Sequence, residues 1–178
     1  MSSVDSLFDA LREIQANKSL PPVQQWRPNR VGTIDIRIAS DGTWYHEGGP
    51  IRRRALVELF SSVLRKDPDG YCLVTPAEKL TIEVDDAPFV AVDLEVKGEG
   101  EDQQLLFTTN VGDHVVADAE HPIWVEGLSD TPRPYLHVRD GLYALISRSV
   151  YYRLADLCSS GEDGYRVLSS GASFTLGR

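Results

Sequence analysis

The chain states one short order of elements twice, and nothing else in the sequence restricts its fold as tightly. The first arm reads Ile34-Asp-Ile-Arg-Ile38, Asp41-Gly42, Trp44, a helical stretch, Asp69-Gly70-Tyr71 and Leu80-Thr81-Ile82. The last arm reads Pro134-Tyr-Leu-His-Val138, Asp140-Gly141, Tyr143, a helical stretch, Asp163-Gly164-Tyr165 and Phe174-Thr175-Leu176. Within the helical stretches, Arg54-Ala-Leu-Val-Glu-Leu59 is echoed by Arg153-Leu-Ala-Asp-Leu157. Hairpin–helix–hairpin units share turn residues in any case, so Asp-Gly pairs alone would not establish a repeat. Order, element type and the aromatic after each turn agree as well, and the reading adopted is an internal duplication. The expected fold class is α+β: two similar antiparallel-sheet-plus-helix units whose pseudo-twofold interface would form a cleft, the usual place for a small ligand.

The local patterns fill in the units. Val4, Leu7, Phe8, Leu11 and Ile14 recur at helical spacing behind Ser2 or Ser3 as a cap, which predicts an opening amphipathic helix. Pro21, Pro22 and Pro28 then make an extended connector around Trp26. Ile34, Ile36 and Ile38 alternate with polar residues, the period of a half-buried strand. Asp41-Gly42 predicts a two-residue type I′ hairpin turn. Pro50 suits the first turn of a helix, and Leu56, Val57, Leu59, Phe60, Val63 and Leu64 give that helix a broad apolar stripe ending near Asp67. Strand-like runs follow at 71–75, 80–84, 88–96, 103–109, 114–117 and 123–125, with Gly98–Asp102 as a hairpin tip. The expected divisions are 1–30, an N-terminal helix and connector; 31–84, the first unit; and 85–178, a β-rich C-terminal domain with the second repeat at 134–178.

Composition excludes several classes. Of 178 residues, 42% are hydrophobic and 25% charged, enough for a packed core. Eighteen Lys and Arg against 27 Asp and Glu give a net charge of −9, which argues against a general nucleic-acid binder. Between Glu83 and Asp130 the chain carries thirteen acidic residues and a single basic one, Lys97, so an acidic middle is flanked by mildly basic arms. Cys72 and Cys158 are too few for a disulfide framework and read as reduced, small core residues. Asp5 and Asp9 stand where a signal peptide would carry Lys or Arg, and no apolar run approaches a membrane span. The expectation is a cytoplasmic protein.

Trp44-Tyr-His-Glu-Gly-Gly-Pro-Ile-Arg-Arg-Arg54 is the sharpest candidate site. Gly48 and Gly49 permit close backbone approach, a helix start favours an anion, and Arg52, Arg53 and Arg54 offer guanidinium forks. Trp44 would stack on a ring and His46 would donate to an oxygen. The competing structural account is that Gly-Gly makes a turn, Trp44 is core and the arginines form a solvated face. Ser147-Arg148-Ser149 opens the matching helix of the second arm, and Arg148 with Arg139 would add charge there, against plain capping and exposure. Thr75-Pro76-Ala-Glu78-Lys79 offers Glu78 and Lys79 to a ligand, or equally a polar hairpin turn. Asn110-Val-Gly-Asp113-His114 and Glu120-His121 have metal-ligand types at spacings unlike known sites, so no metal is expected. No phosphate loop, dinucleotide fingerprint or nucleophile elbow occurs, and no catalytic residue or cofactor is assigned.

The run Asp41-Gly42-x-Trp44-x-His46-x-Gly48-x-Pro50-Ile51-x-Arg53 resembles the bacterial family named domain of unknown function 1285. So do Leu73-Val74-Thr75-Pro76-x-Glu78-Lys79, Asp85-Asp86-Ala87-Pro88-Phe89, Thr109-Asn110-Val-Gly-Asp113 and His137-Val-Arg139-x-Gly141-Leu142, so the likeness covers nearly everything after residue 30. The resemblance implies a duplicated α+β core with a C-terminal half like a curled pleckstrin-homology barrel. It also implies a site at the domain interface for a nucleotide or nucleotide-derived ligand in signalling. Trp44, His46, Arg53, Thr75, Glu78 and Lys79 match its pattern in the first arm, and Arg139 and Arg148 in the second. The function expected is therefore binding of a small anionic ligand between the repeats rather than catalysis. The alternative is a protein–protein docking module using the barrel-like half, with an uncharacterised hydrolase as a third reading.

Overall fold

The computed structural model describes Leu7, residues 20–128 and residues 130–177. The opening helix expected over Val4–Ile14 lies outside the described residues apart from Leu7, which is fully buried. Two compact units meet in sequence between Asp86 and Ala87. They are similar in plan: among the described residues each holds a six-stranded sheet and an α-helix of nine residues.

In the first unit, β1 (Arg30–Ile38), β2 (Trp44–His46) and β3 (Gly49–Pro50) precede helix α1 (Arg54–Ser62), and β4 (Leu64–Asp67), β5 (Gly70–Val74) and β6 (Glu78–Val84) follow it. The sheet order is β3-β2-β1-β6-β5-β4, antiparallel except where β1 lies parallel to β6. Ile36, Ile38, Trp44, Leu80 and Ile82 face the core, and the Trp44 ring stacks on Phe60 of α1 with centroids 6.2 Å apart. Three local expectations change. Pro50 does not start the helix: it pairs with Tyr45 as part of β3, and α1 begins four residues later behind Arg53. The apolar stripe does not carry the helix to Asp67. Ser61 and Ser62 donate their hydroxyls to the carbonyls of Glu58 and Leu59 at 2.7 and 2.6 Å, which competes with a further turn, and Leu64 pairs with Leu73 instead. The Asp41-Gly42 hairpin is closed by Ala39 and Thr43, with positive φ at Gly42 alone (90°), so it is a three-residue loop rather than type I′.

In the second unit, β7 (Phe89–Lys97), β8 (Gln104–Thr109), β9 (His114–Val116), β10 (Ile123–Glu126), β11 (Arg133–Arg139) and β12 (Leu142–Ile146) form a curled half-barrel in the order β10-β11-β12-β7-β8-β9. Register shifts between Ala91 and Asp93 and between His137 and Arg139 supply bulges of the kind that bend a sheet. Helix α2 (Arg148–Asp156) leads to a three-stranded sheet of β13 (Ser159–Gly161), β14 (Gly164–Ser169) and β15 (Ala172–Gly177). Ser169, fully buried, fastens the two sheets: its hydroxyl donates to the Ala117 carbonyl at 2.7 Å and accepts from the Leu105 amide at 2.9 Å. Phe89, Leu105, Phe107, Leu136 and Leu154 form a fully buried core. Here the Asp140-Gly141 turn has positive φ at both residues (48° and 79°), as type I′ requires. Hairpin, helix and three further strands recur in the same order in both units, while the parallel partner differs: β12 pairs with β7.

Candidate functional site

Two open cavities lie side by side in the second unit. The larger, about 850 Å³, sits between β10, α2 and β15, with Ile123, Tyr151, Cys158, Tyr165, Phe174 and Leu176 among its walls. The smaller, about 800 Å³, opens at the start of α2, where Asp130, Arg133, Arg148, Tyr151 and Tyr152 line it. They share Gly127, Leu128, Pro132 and Tyr151. Gly127 has a φ of +85°, and a Cβ there would stand 2.7 Å from the Thr131 carbonyl oxygen, so this corner of the wall needs glycine.

Arg148 is the first residue of α2, behind Ser147, whose hydroxyl accepts from the Val150 amide at 3.4 Å. It is exposed and has no ion pair or hydrogen bond among the described residues. The first unit explains why. Arg54 holds the same place in α1, and its Nε pairs with Glu58 at 2.8 Å, one helical turn on. In α2 the residue one turn beyond Arg148 is Tyr152, which offers no charge. Arg133 is half committed, its Nη2 standing 3.9 Å from Glu126 Oε2. The Tyr151 hydroxyl donates to the Leu176 carbonyl at 3.3 Å, and burial pushes the pKa of both the Tyr151 phenol and the Cys158 thiol up.

The other residues singled out in the sequence occupy several separate places. Arg139 donates to Asp113 Oδ2 at 2.7 Å and lies over Phe89, so its charge is engaged within the fold. Trp44 is 1% exposed, and its buried indole Nε1 has no hydrogen-bond partner among the described residues. His46, two residues on, is half-buried and 3.9 Å from Glu47. Arg53 caps α1 without a side-chain bond and is exposed. Thr75, fully buried, uses its hydroxyl to accept from the Ala77 and Glu78 amides, closing the β5–β6 turn. Lys79 binds Asp67 at 2.7 Å and Asp69 at 3.2 Å. Glu78 is 1% exposed, and among the described residues both its carboxylate oxygens lack hydrogen bonds, with Arg30 standing 4.0 Å away. Trp44 is level with Ile38 and Val84, and Glu78 with Arg30. The two therefore sit at opposite ends of β6, roughly 20 Å apart at the rise of a strand.

One polar cluster escaped the sequence reading. Arg65, 5% exposed, grips Asp67 through Nε at 2.7 Å and Nη2 at 3.0 Å. Its Nη1 donates to the carbonyls of Val23 and Trp26 at 2.8 Å, tying the proline-rich connector to β4. The Arg65 hydrogen bonds, helped by Lys79, hold the Asp67 carboxyl down to about 2 against desolvation, and burial pushes the neighbouring Cys72 thiol up to about 11. Cys72 is thus a core residue, as expected. Among the described residues no cluster of His, Cys, Asp or Glu would hold a metal ion, and no helix is long and apolar enough to cross a membrane.

Comparison with known proteins agrees with this two-unit layout. Residues 21–87 match the model described as "Domain of unknown function (DUF1285), N-terminal domain", and residues 88–176 match "Protein of unknown function (DUF1285), C-terminal domain". The chain belongs to the DUF1285 family. A DUF1285 family protein from Silicibacter pomeroyi DSS-3 is 52% identical over 89% of this chain and 88% of its own, with a TM-score of 0.85. A second, from Shewanella baltica OS155, is 27% identical over 68% of this chain and 90% of its own, with a TM-score of 0.54. No curated protein matches. This DUF1285 chain therefore has the duplicated sheet-and-helix fold of its family, and a cavity whose one uncommitted cation, among the cavity-lining residues described, is Arg148.

Proposed function

We propose that this DUF1285 protein is a binding module for a small anionic ligand, taken up at the start of α2, rather than an enzyme. The observation that carries the reading is Arg148: exposed, unpaired among the described residues, and on the wall of a cavity with Arg133 beside it. An unpaired guanidinium at a helix start, where free amides and the helix dipole also favour negative charge, suits a carboxylate or phosphate. Nucleotides and nucleotide-derived messengers combine such a group with a flat ring, and aromatic walls lie close by at Tyr151 and Tyr152. A role in signal transduction is what the family resemblance implies for such a site.

Calorimetric titration with a nucleotide panel tests this. Arg148→Ala is expected to weaken any ligand about ten- to a hundredfold, the value of a charge-assisted hydrogen bond. Affinity unchanged in that variant, or no binding across the panel, would refute the assignment. A protein-docking role is the second reading, favoured by the exposure of Leu128, Tyr152 and Tyr165 (72%, 58% and 55%) around the cavities. Capture of a partner that survives Arg148→Ala but not Tyr152→Ser would select it.

A further inference from the structure

We infer that the ligand is an aromatic molecule with a single anionic group: one phosphate or carboxylate held at Arg148, and a flat ring laid into the larger cavity. This rests on the small-anion reading above and specifies its chemistry. Charge is confined to one end of the paired cavities. Asp130, Arg133 and Arg148 line the smaller, whereas among the described residues no charged side chain lines the larger. At the charged end Arg133 already leans on Glu126, and Asp130 would repel a second negative group, which leaves one full positive charge to be met. A diphosphate or triphosphate would bring charges for which the walls hold no partner.

The uncharged cavity favours a ring over a chain. Tyr151, Tyr165 and Phe174 present aromatic walls, and Tyr151 is held by its hydrogen bond to the Leu176 carbonyl. Rings that meet edge-on or offset gain stability beyond the area they cover. The shared wall of Gly127, Leu128, Pro132 and Tyr151 places the ring and the anion in adjoining spaces, so one molecule of modest size fills both.

Cys158 reports occupancy of the larger cavity, because it lines that cavity and is partly accessible, while Cys72 is 1% exposed. The experiment titrates the full chain with inorganic phosphate, 1-naphthyl phosphate, dodecyl phosphate, AMP and ATP. Alkylation of Cys158 by N-ethylmaleimide is followed by peptide mass mapping alongside. Naphthyl phosphate and AMP should bind at least about tenfold more tightly than inorganic phosphate and slow Cys158 alkylation. ATP should bind no more than about fivefold more tightly than AMP, since its extra charges find no partner in the walls and face Asp130. Ala155→Trp, which fills the larger cavity from the exposed side of α2, should erase the advantage of the ring. Ring-bearing phosphates no tighter than inorganic phosphate would overturn the inference. So would tight binding that leaves Cys158 alkylation unchanged, an ATP preference beyond that range, or dodecyl phosphate matching naphthyl phosphate. If anions bind through Arg148 without a ring advantage, only this inference fails; if none binds, the small-anion reading fails with it.

Discussion

Replacing Asp67 by Asn should cost this protein stability that vanishes in acid, and the structure sets both the size and the direction. Asp67 accepts two hydrogen bonds from Arg65 and one contact from Lys79, with its side chain 16% exposed. Its carboxyl is lowered from 3.8 to about 2, first by the Arg65 hydrogen bonds and then, after desolvation has opposed them, by Lys79. A carboxyl depressed in the folded state binds its proton more readily when unfolded, so its contribution is complete above the unfolded value and is lost as pH falls through the folded one. At pH 7 the difference is worth about 2.5 kcal/mol; about 1.3 kcal/mol remains at pH 3 and about 0.4 kcal/mol at pH 2. Urea denaturation of the parent and Asp67→Asn at pH 7, 4 and 3 measures the gap directly, because the protonated parent and the Asn variant then carry the same charge. The gap should be widest at pH 7 and roughly halve by pH 3. A gap that is constant between pH 7 and pH 3, or that widens in acid, would refute the ionic account of the Arg65–Asp67–Lys79 cluster.

Glu78→Leu should raise the melting temperature, with a gain of about 1 kcal/mol or more, because a buried carboxylate with no hydrogen bonds among the described residues costs more than an apolar side chain in its place. A drop in melting temperature would mean that the carboxylate is stabilised by something beyond Arg30. Ser169→Ala should cost about 1–3 kcal/mol in chemical denaturation, since the Leu105 amide and the Ala117 carbonyl both lose their buried partner. Unaltered stability would show that Ser169 does not fasten the two sheets of the second unit.

The repeat was readable because it depends on local chemistry. Asp-Gly turns, an aromatic after each, and a helix of apolar period impose themselves whatever surrounds them. Sheet pairing was not readable, because which strand completes a sheet is decided by long-range packing: β1 takes β6 beside it, while its counterpart hairpin offers β12 to β7. Helix ends failed for a similar reason. Val63 and Leu64 continue the helical stripe of α1, yet the pairing of Leu64 with Leu73 and the reach of Arg65 to the connector draw the chain into β4. Of the candidate site, Arg148 was visible as a charge beside a capping serine, while Arg133, Tyr151 and Phe174 come from three separate elements and meet only after folding. Lys79 and Arg139 carried the right charge for a ligand, but Asp67 and Asp113 claim them, and neither pairing has a sequence spacing that announces it.

The two copies also explain why an anion site would arise in one unit only. Both helices begin with arginine, a cation at a helix start, where it adds to positive charge already present from the helix dipole. In the first unit Glu58, one turn along, relieves that accumulation and consumes the cation in an exposed i,i+4 pair. With Tyr152 in the corresponding place, α2 leaves the accumulation unrelieved and sets an aromatic wall beside it. Exchange of these two residues would therefore exchange the property. Tyr152→Glu should pair with Arg148 and lower the affinity for an added anion, while leaving the arginine itself intact. Affinity that survives the new carboxylate would show that the cation at the start of α2 is not what holds the ligand.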